Sequence, residues 1–481
     1  MATGPTPIPW PLTTTPGKDP QEAAGRLINC HAEPLDEKVV KWIRAPGLSE
    51  HSVTGETGFR GGLLVNNLLF YGMASKGQTV DSAGAVTTLS GTLSGTRMLS
   101  FGRNQKTPTP DILCVDPDNG AFTLTSASVT SFNAGGILPQ PNCMCGQDGY
   151  LFFGIGDNRI FATIVNDTTI NALTYTTVRS KANGNLLRLI PFRGMLLAYC
   201  TTFTEIFNNT ANTYPGFPYT RLSVLDVGLD GYAAIAGWEE GFGDLLWVFQ
   251  NGVWRFPPGS FVPEKVSPPD LDRLLSAATD KTTLVAGCYV ATGKKFWHIS
   301  SPTWTWELNL NTLKWTERTS FTSVNLLTRW RAVGGSSAFG KWVVGDAQSG
   351  SLGYVDDTVF KELGRLQLWR LQSKPVERFP RRSRVARADF DFVLGVENPA
   401  GEVPIETNPQ VMISWSKNSG RDWSAPIMRQ LGSRGLSPTR RISATGLGVT
   451  EATGRVWRLD ITDPVYVGFM GGTMSDLVRA D

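Results

Sequence analysis

The sequence predicts an all-β protein: a β-propeller of about seven blades followed by a β-sandwich-like C-terminal module. Three observations predict this fold: an excess of Gly and Pro, a strong hairpin signal near the middle of the chain, and turns that recur at regular spacing. Gly (51 residues) and Pro (30 residues) make up about a sixth of the 481 residues, against roughly 12% in an average protein. Many short strands joined by turns require such an excess.

The strongest hairpin signal lies at Asn251-Gly252. The apolar run Leu245–Phe249 precedes this pair, and the alternating run Val253–Phe256 follows it. Asn and Gly adopt positive φ at low cost, so the pair favours a two-residue turn between two strands. A single hairpin cannot bury enough surface to be stable alone, and the chain must therefore contain others that pack with it.

Similar hairpin signals recur through the first three quarters of the chain. We predict turns at residues 84, 120, 156, 194, 252, 311 and 350, which differ by 36, 36, 38, 58, 59 and 39 residues. In the first of these hairpins, Leu68–Tyr71 and Val86–Leu89 flank the turn at Gly84. A blade of about four strands takes roughly 40–50 residues. The spacing therefore predicts about seven blades with two longer insertions.

The proline-rich residues 1–25 are predicted as an extended N-terminal arm, and the propeller as residues 26–372. The insertions fall near 208–230 and 257–283, and long ordered loops of this kind often carry contact residues. The second insertion contains the clearest helix signal, 267–275, with Ser267 as its cap, proline in the first turn and early acidic residues.

Residues 373–481 are predicted as a separate C-terminal β module, because the regular succession of hairpin signals changes after about residue 372. Its predicted strands are Val385–Val396, Val411–Ser416, Arg440–Thr445 and Val456–Ile461.

The composition indicates a globular protein without a global charge bias. Apolar residues make up 41% and charged residues 18%, and the formal net charge is +3, so no overall basic field marks a nucleic-acid binder. No signal peptide or spanning segment is recognisable, and the six cysteines are scattered, with only Cys143 and Cys145 close together. We expect free thiols, synthesis in a reducing cytoplasm, and no direct membrane anchoring.

The residues needed for catalysis are scarce. The chain has three histidines, His31, His51 and His298, and none has a second His or a Cys at metal-ligand spacing. The common nucleophile, phosphate-loop and zinc-protease motifs do not occur. We therefore expect no catalytic residue, no cofactor and no metal, and His298 is most simply a strand residue.

A basic stretch lies at the predicted boundary between propeller and C-terminal module. Between residues 365 and 387 only Glu377 opposes its cations, so the local net charge is +7. Arg pairs well with phosphate and carboxylate, so the stretch is either a contact for DNA or for an acidic neighbouring subunit, or simply a solvated face. Its members are Arg365, Arg370, Lys374, Arg378, Arg381, Arg382, Arg384 and Arg387.

A second motif occurs in the C-terminal module. Ser416, Asn418, Gly420 and Trp423 fit the pattern S-x-[DN]-x-G-x-x-W, which resembles the Asp-box of sialidases and other propellers. In those families the box stabilises a hairpin turn away from the active site. The resemblance therefore implies a structural turn rather than sialidase activity.

Several segments, in this order along the chain, resemble the tail-hub proteins of short-tailed bacteriophages, also called packaged-DNA stabilisation proteins. They cover most of residues 26–470. The segments are Arg26–Pro34, Ala45–Leu48, Thr204–Phe207, Pro215–Tyr219, Leu245–Phe256, Lys265–Ser267, Ser414–Ser416, Arg440-Arg441 and Arg455–Val465.

This resemblance implies a non-enzymatic virion protein that forms a ring, expected to be hexameric. In that family the ring is a nozzle below the portal and adaptor proteins. It closes the DNA channel, retains the packaged double-stranded DNA until ejection, and carries tail fibres, tailspikes or a needle. Such a ring is held by heterologous contacts between copies, which we expect at the two insertions. The protein would be made in the host cytoplasm and end in the virion tail.

A different class of function stays open at this stage. A propeller glycoside hydrolase would need paired carboxylates in a cleft, and Asp226, Glu239 and Glu240 could supply them. A carbohydrate-binding lectin is the third alternative.

Overall fold

The computed structural model describes residues 5–19, 22–36, 39–179, 184–322, 327–393, 403–432 and 442–478. The chain divides into two compact units. We call residues 50–302 with 331–355 the propeller unit, and residues 1–49, 303–330 and 356–481 the two-sheet unit. These divisions lie elsewhere than the predicted boundaries after residues 25 and 372, because the first 49 residues group with the C-terminal part of the chain.

The propeller unit is a ring of six blades, in which successive strands of each blade pair antiparallel. The strands are Phe59–Val65, Leu68–Met73, Lys76–Val80 and Val86–Thr88 in blade 1; Ser100–Arg103, Ile112–Asp116, Gly120–Leu124 and Val129–Phe132 in blade 2; Pro141–Gln147, Tyr150–Ile155, Arg159–Thr163 and Ile170–Thr177 in blade 3; Leu186–Phe192, Met195–Cys200, Thr204–Asn209 and Tyr219–Leu225 in blade 4; Ile235–Ala236, Leu246–Phe249, Gly252–Arg255 and Glu264–Lys265 in blade 5; and Ala332–Ala338, Lys341–Asp346 and Ser351–Asp356 in blade 6.

The all-β propeller fold is confirmed, and its blade count is one lower than the turn spacing predicts. The reason is the hairpin at residue 311, whose strands Thr305–Asn309 and Lys314–Phe321 belong to the two-sheet unit. The propeller unit also contains the hairpin Val285–Ala291 with Lys294–Ser300, two 3-10 turns at Ala134–Gly136 and Lys281–Thr283, and the helix Pro269–Ala277.

The second strands of the blades are apolar on both faces. Every residue of Ile112–Asp116 is buried, and so is nearly every residue of Met195–Cys200. In a propeller each blade packs between two neighbours, so a middle strand has no solvent face. Leu113 and Val115 of blade 2, for example, join Met144 and Phe153 of blade 3 in one hydrophobic cluster.

The hairpin at residues 250–252 forms as predicted, but its turn lies one residue earlier. Gln250 and Asn251 have φ of 47° and 58°, whereas Gly252 is the first residue of the next strand and pairs with Phe249. Asp230 holds the turn, because its carboxylate accepts hydrogen bonds from the amides of Gln250 (3.0 Å) and Asn251 (3.1 Å). The turn is therefore held by a residue 20 positions earlier in the chain.

One hairpin prediction was wrong. Leu68–Met73 pairs with Lys76–Val80 rather than with the segment after Gly84, and the turn at Gly84 joins Lys76–Val80 to Val86–Thr88. The overlooked strand, Lys-Gly-Gln-Thr-Val, has little β signature of its own. It forms because the neighbouring strands supply its hydrogen bonds and bury it.

The helix Pro269–Ala277 lies where the sequence predicts one, but Ser267 is not its N-cap. Pro268 holds the cap position and makes no side-chain cap bond. Ser267 Oγ instead accepts a hydrogen bond from the amide of Val253 (3.0 Å) and donates one to Asp272 (2.5 Å). The serine therefore ties the helix to blade 5.

The two-sheet unit consists of two β-sheets around a common core. The first is seven-stranded, with the order Cys30–Pro34, Val40–Arg44, Gly468–Val478, Ser383–Phe392 and Ile442–Thr445. Thr6–Pro7 also pairs with Gly468–Val478, and Val449–Thr450 also pairs with Ser383–Phe392. The second has the order Thr305–Asn309, Lys314–Phe321, Arg26–Ile28, Trp369–Gln372, Val456–Ile461, Gln410–Ser416 and Ile427–Gln430, with Leu327–Arg329 beside Lys314–Phe321. The strand Gly47–Val53 crosses the division after residue 49. Its residue Leu48 pairs with Glu362 of the strand Lys361–Glu362, which also pairs with Arg365–Leu366. The short helix Pro404–Thr407 is the remaining described element of this unit.

Both sheets contribute alternate residues to this core. Leu371 and Trp457 come from the second sheet, and Phe390 and Phe469 from the first. Part of the predicted N-terminal arm packs within this unit: Thr6–Pro7 pairs with Gly468–Val478, and Trp10 lies in the core. Of the predicted C-terminal strands, the parts at residues 394–396 and 440–441 lie outside the described residues.

Candidate functional site

The basic stretch lies on three elements of the two-sheet unit. Arg365 is on the short strand Arg365–Leu366, Arg370 on Trp369–Gln372, and Arg384 and Arg387 on Ser383–Phe392. Lys374, Arg378, Arg381 and Arg382 lie in the segment between the last two strands. Arg370 and Arg378 are half-buried, and the other six side chains are exposed.

Carboxylates from elsewhere in the sequence neutralise part of this charge. Arg370 binds Asp460 through two hydrogen bonds of 2.7 and 2.8 Å, and Arg382 pairs with Glu451 at 3.1 Å. Arg387 pairs with Asp389, two residues along the same strand, at 2.7 Å, and this hydrogen bond raises the pKa of Arg387. Fewer positive charges of the stretch are therefore unpaired in the folded chain than its sequence indicates.

Four cations of the stretch form no ion pair with any residue that the structure describes: Arg365, Lys374, Arg381 and Arg384. Arg378 is held differently, since its Nη2 donates a hydrogen bond to Thr6 Oγ1 at 3.0 Å. The four unpaired, exposed cations are the ones available to an external anion. Arg440 and Arg441, which the resemblance also includes, lie outside the described residues.

The Asp-box-like residues form a closed turn after the strand Gln410–Ser416. Ser416 Oγ accepts a hydrogen bond from the amide of Gly420 (2.8 Å) and donates one to Asn418 Oδ1 (2.9 Å). Asn418 Oδ1 also accepts the amide of Asp422 (3.0 Å), and its Nδ2 donates to the Asp422 carboxylate (2.8 Å). Gly420 has φ +98°, which favours glycine at this position.

Trp423 of this turn packs against the outer face of the second sheet. The guanidinium of Arg458 lies 4.2 Å from the Trp423 ring centroid, and Arg458 also approaches Asp460, the partner of Arg370, at 3.6 Å. Burial and the nearby charge of Arg370 lower the pKa of Arg458. Asp460 thus connects the turn with the basic stretch, a link between distant positions that no local sequence pattern indicates.

The two predicted insertions contain regular elements. Residues 208–230 contain the outer strand of blade 4, Tyr219–Leu225, and 257–283 contain the strand Glu264–Lys265 and the helix. Tyr219–Leu225 exposes five consecutive side chains, including Leu222 and Val224. The predicted placement of neighbour contacts at these insertions stays a prediction.

A cavity of about 70 Å³ lies in the propeller unit, where the first strands of blades 1, 2, 4, 5 and 6 converge. Glu239 and Glu240 line it, together with Arg188 and Tyr232. Arg188 Nη2 donates to Glu239 Oε2 at 2.8 Å, and its guanidinium lies 4.7 Å from the Tyr232 ring centroid. Burial, and secondly the Glu239 carboxylate, raise the pKa of Glu240 to about 7.

This cavity does not suit the glycoside hydrolase alternative. Its volume lies well below the roughly 300–1,000 Å³ of usual small-molecule sites. Glu239 is engaged by Arg188, and Asp226 does not line the cavity. The three acids therefore do not form a paired set in a cleft.

In the described part of the chain, no group of three His, Cys, Asp or Glu side chains is placed so that it could hold a metal ion. All six cysteines are buried free thiols, and burial raises the pKa of Cys114 and Cys143 to about 12. His298 is a buried strand residue, and His31 Nε2 lies 2.7 Å from Glu307.

Among the described residues, no helix is both long and apolar enough to cross a membrane.

Comparison with known proteins identifies a family. Residues 31–360 match the family model described as "Bacteriophage P22 Gp10, beta-propeller", a span that includes the whole propeller unit. Curated protein sequences give no match. Among solved structures, the β-propeller domain of Cps50 (Swd1) from Myceliophteria thermophila has 9% identity and a TM-score of 0.41, covering 64% of this chain and 99% of that one.

Proposed function

This chain belongs to the bacteriophage P22 Gp10 β-propeller family, and from that premise we propose that it is a non-enzymatic structural protein of a phage tail that stabilises packaged DNA. The observation that carries the proposal is the family match over residues 31–360. It spans every blade of the propeller, so the likeness concerns the architecture of the unit and not one short motif.

In finer detail, we propose a tail hub of a short-tailed phage. Copies form a hexameric ring, the nozzle, below the portal and adaptor proteins. The ring closes the DNA channel, retains the double-stranded genome until ejection, and carries fibres, tailspikes or a needle. A closed ring uses two different surfaces of each copy in heterologous contacts.

The unpaired cations of the basic stretch are the candidates for contacts within this assembly. Arg381 and Arg384 are exposed and without ion partners among the described residues, so they can meet an external carboxylate or phosphate at no cost in broken internal ion pairs. Arg382 gives up only a surface pair, worth about 0–1 kcal/mol. Arg370, bound twice by Asp460, is not available in the same way.

Oligomeric state tests the ring. The purified full-length chain should form rings, alone or after addition of its adaptor protein, when examined by mass photometry and cryo-electron microscopy. A chain that remains monomeric under both conditions and never enters virions contradicts the proposal.

The basic stretch is tested by replacing Arg381, Arg382 and Arg384 together with Ala. We expect weaker ring assembly or loss of packaged DNA from particles, measured by the fraction of particles that retain a genome. Lys18→Ala, which removes an exposed cation elsewhere in the two-sheet unit, is the control. Normal, DNA-filled particles from the triple variant would mean that the stretch is only a solvated face.

A further inference from the structure

The segment between the strands Trp369–Gln372 and Ser383–Phe392 presents an aromatic side chain to solvent. Phe379 is 79% exposed, more than any other large apolar residue that the structure describes. It lies between Arg378 and Pro380, and Arg381 and Arg382 follow. We call residues 378–384 the Phe379 loop. A single exposed apolar side chain is common in folded proteins, but this one lies within a run of exposed arginines, and the combination is what sets Phe379 apart.

The backbone around Phe379 is held in place. Val376 exchanges two backbone hydrogen bonds with Arg455, of 2.8 and 3.2 Å, and the amide of Arg381 donates to the carbonyl of Arg378 at 2.8 Å. The Arg378 side chain reaches Thr6 Oγ1 at 3.0 Å. The loop therefore presents Phe379 on a closed turn with a fixed base, and a preorganised anchor loses little conformational entropy on binding.

Exposed arginines follow this anchor closely in the sequence. Arg381 and Arg384 have no ion partner among the described residues, and Arg382 forms an ion pair with the half-exposed Glu451. Aromatic residues and Arg are the side chains most enriched at the energetic centres of protein interfaces. The combination fits an apolar recess with carboxylates at its rim: the recess takes the ring, and the rim pairs with the guanidinium groups.

The charge pattern favours a protein over DNA. Carboxylates are interspersed with the cations: Glu377 precedes the loop, Glu451 pairs with Arg382, and Asp389 pairs with Arg387. The carboxylates would repel a phosphate backbone that approached the arginines. A protein surface can instead place its carboxylates opposite the arginines and other groups opposite the acids. The chain itself has a net charge of +3 and therefore offers no acidic surplus that would attract these arginines to a second copy, so we take a different, net acidic protein as the partner.

We propose that the Phe379 loop is a docking element that inserts into an apolar, carboxylate-rimmed recess of a different protein. The proposal rests on the proposed function in one respect, namely that the partner is made in the same infected cell and belongs to the same particle.

Photo-cross-linking in the full-length chain tests the proposal. The variant Phe379→p-benzoyl-phenylalanine is produced in infected cells, irradiated there, and its cross-linked peptides are identified by mass spectrometry. The matched control is Val262→p-benzoyl-phenylalanine, because Val262 is also highly exposed (73%) but lies in the propeller unit, in a segment without an arginine on either side. We expect one other protein to be cross-linked at position 379, through a peptide with apolar and acidic residues.

Charge reversal supplies the second measurement. Arg381→Glu together with Arg384→Glu should lower the yield of that cross-link about tenfold or more, as the loss of central interface contacts does. Phe379→Ala should reduce the co-purified complex to a similar extent, and Val262→Ala should not. Phe379, Arg381 and Arg384 are exposed, so none of these substitutions removes a buried contact of the fold.

Several outcomes overturn the proposal: a cross-link to DNA, a cross-link to a second copy of this chain, a yield no higher than at position 262, or unchanged complex formation by Phe379→Ala. The proposed function is tested separately, by looking for the chain in particles purified from the same culture. Absence of the chain from them would end the tail assignment, while the cross-link formed in the cell would still decide whether the loop docks as proposed.

Discussion

Arg60 in the propeller unit and Arg381 in the two-sheet unit carry the same guanidinium group in opposite surroundings. Arg60 is 1% exposed and donates to the carbonyls of Ala74, Leu93, Ser94 and Arg97 at 2.8–3.0 Å and to Asp116 at 2.7 Å. Arg381 is exposed and has no ion partner among the described residues. The first joins blade 1 to blade 2, whereas the second contributes nothing visible to the folded unit.

The difference shows how to separate structural from contact arginines. A buried guanidinium is tolerated only when its donors are satisfied and its charge is paired, so Arg60 is committed to the fold. An exposed, unpaired guanidinium is free to meet a partner at no cost to the fold. The two kinds differ in what their removal does, and the following substitutions measure this.

Arg60→Ala should have the largest effect on stability. It leaves the Asp116 carboxylate buried without its counter-charge and four carbonyls without their donor, a loss of about 3–5 kcal/mol in the free energy of unfolding, measured by chemical denaturation. Arg97→Ala, which breaks the exposed pair with Asp118, is the control and should cost no more than about 1 kcal/mol. Equal losses for the two variants would contradict the distinction.

Glu240 should make stability depend on pH. Its folded pKa of about 7 lies above the unfolded value, so its favourable contribution is complete below pH about 4.5 and is lost as the pH rises through about 7. We expect the Tm of the wild-type chain to fall across this range and that of Glu240→Gln to fall less. Exposed Glu377→Gln is the control, and identical pH profiles for all three chains would show that Glu240 is not the cause.

Asn418→Ala tests the Asp-box-like turn. It removes the side-chain hydrogen bonds to Ser416 and Asp422, and we expect a loss of about 1 kcal/mol, because each such bond contributes about 0.5–1.5 kcal/mol in net terms. The neighbouring exposed Lys417→Ala should be close to neutral. An unchanged denaturation midpoint for Asn418→Ala would mean that the turn is held by its backbone alone.

Arg381→Ala with Arg384→Ala should have the smallest effect. The free energy of unfolding should change by less than about 0.5 kcal/mol, as for other surface substitutions, even where assembly is lost. A loss comparable to that of Arg60→Ala would show that these arginines support the fold after all.

Local patterns were sufficient for the hairpins and for the fold class. The turns near 120, 156, 194, 252, 311 and 350 all join antiparallel strands, because turn residues and β-prone runs act over a few positions. The sequence of Lys76–Val80 carries no such pattern, and its strand was missed. The local sequence also does not show which sheet the hairpin at 311 joins. Because that hairpin lies in the two-sheet unit, the propeller has six blades and not seven.

What only the tertiary structure decided concerns charge and exposure. The eight cations of the basic stretch look alike in the sequence, but Arg370 is paired by Asp460, 90 residues later, and Arg382 by Glu451, while Arg381 and Arg384 are left without an ion partner among the described residues. Phe379 was not predicted as a contact residue, although an apolar residue within a charged run is a usable signal. Ion pairing and solvent exposure depend on residues brought together from distant parts of the chain, whereas strand and turn preferences belong to the segment itself. The sequence alone therefore determined a β-propeller built of hairpins, and folding determined which of its charges can serve an external contact.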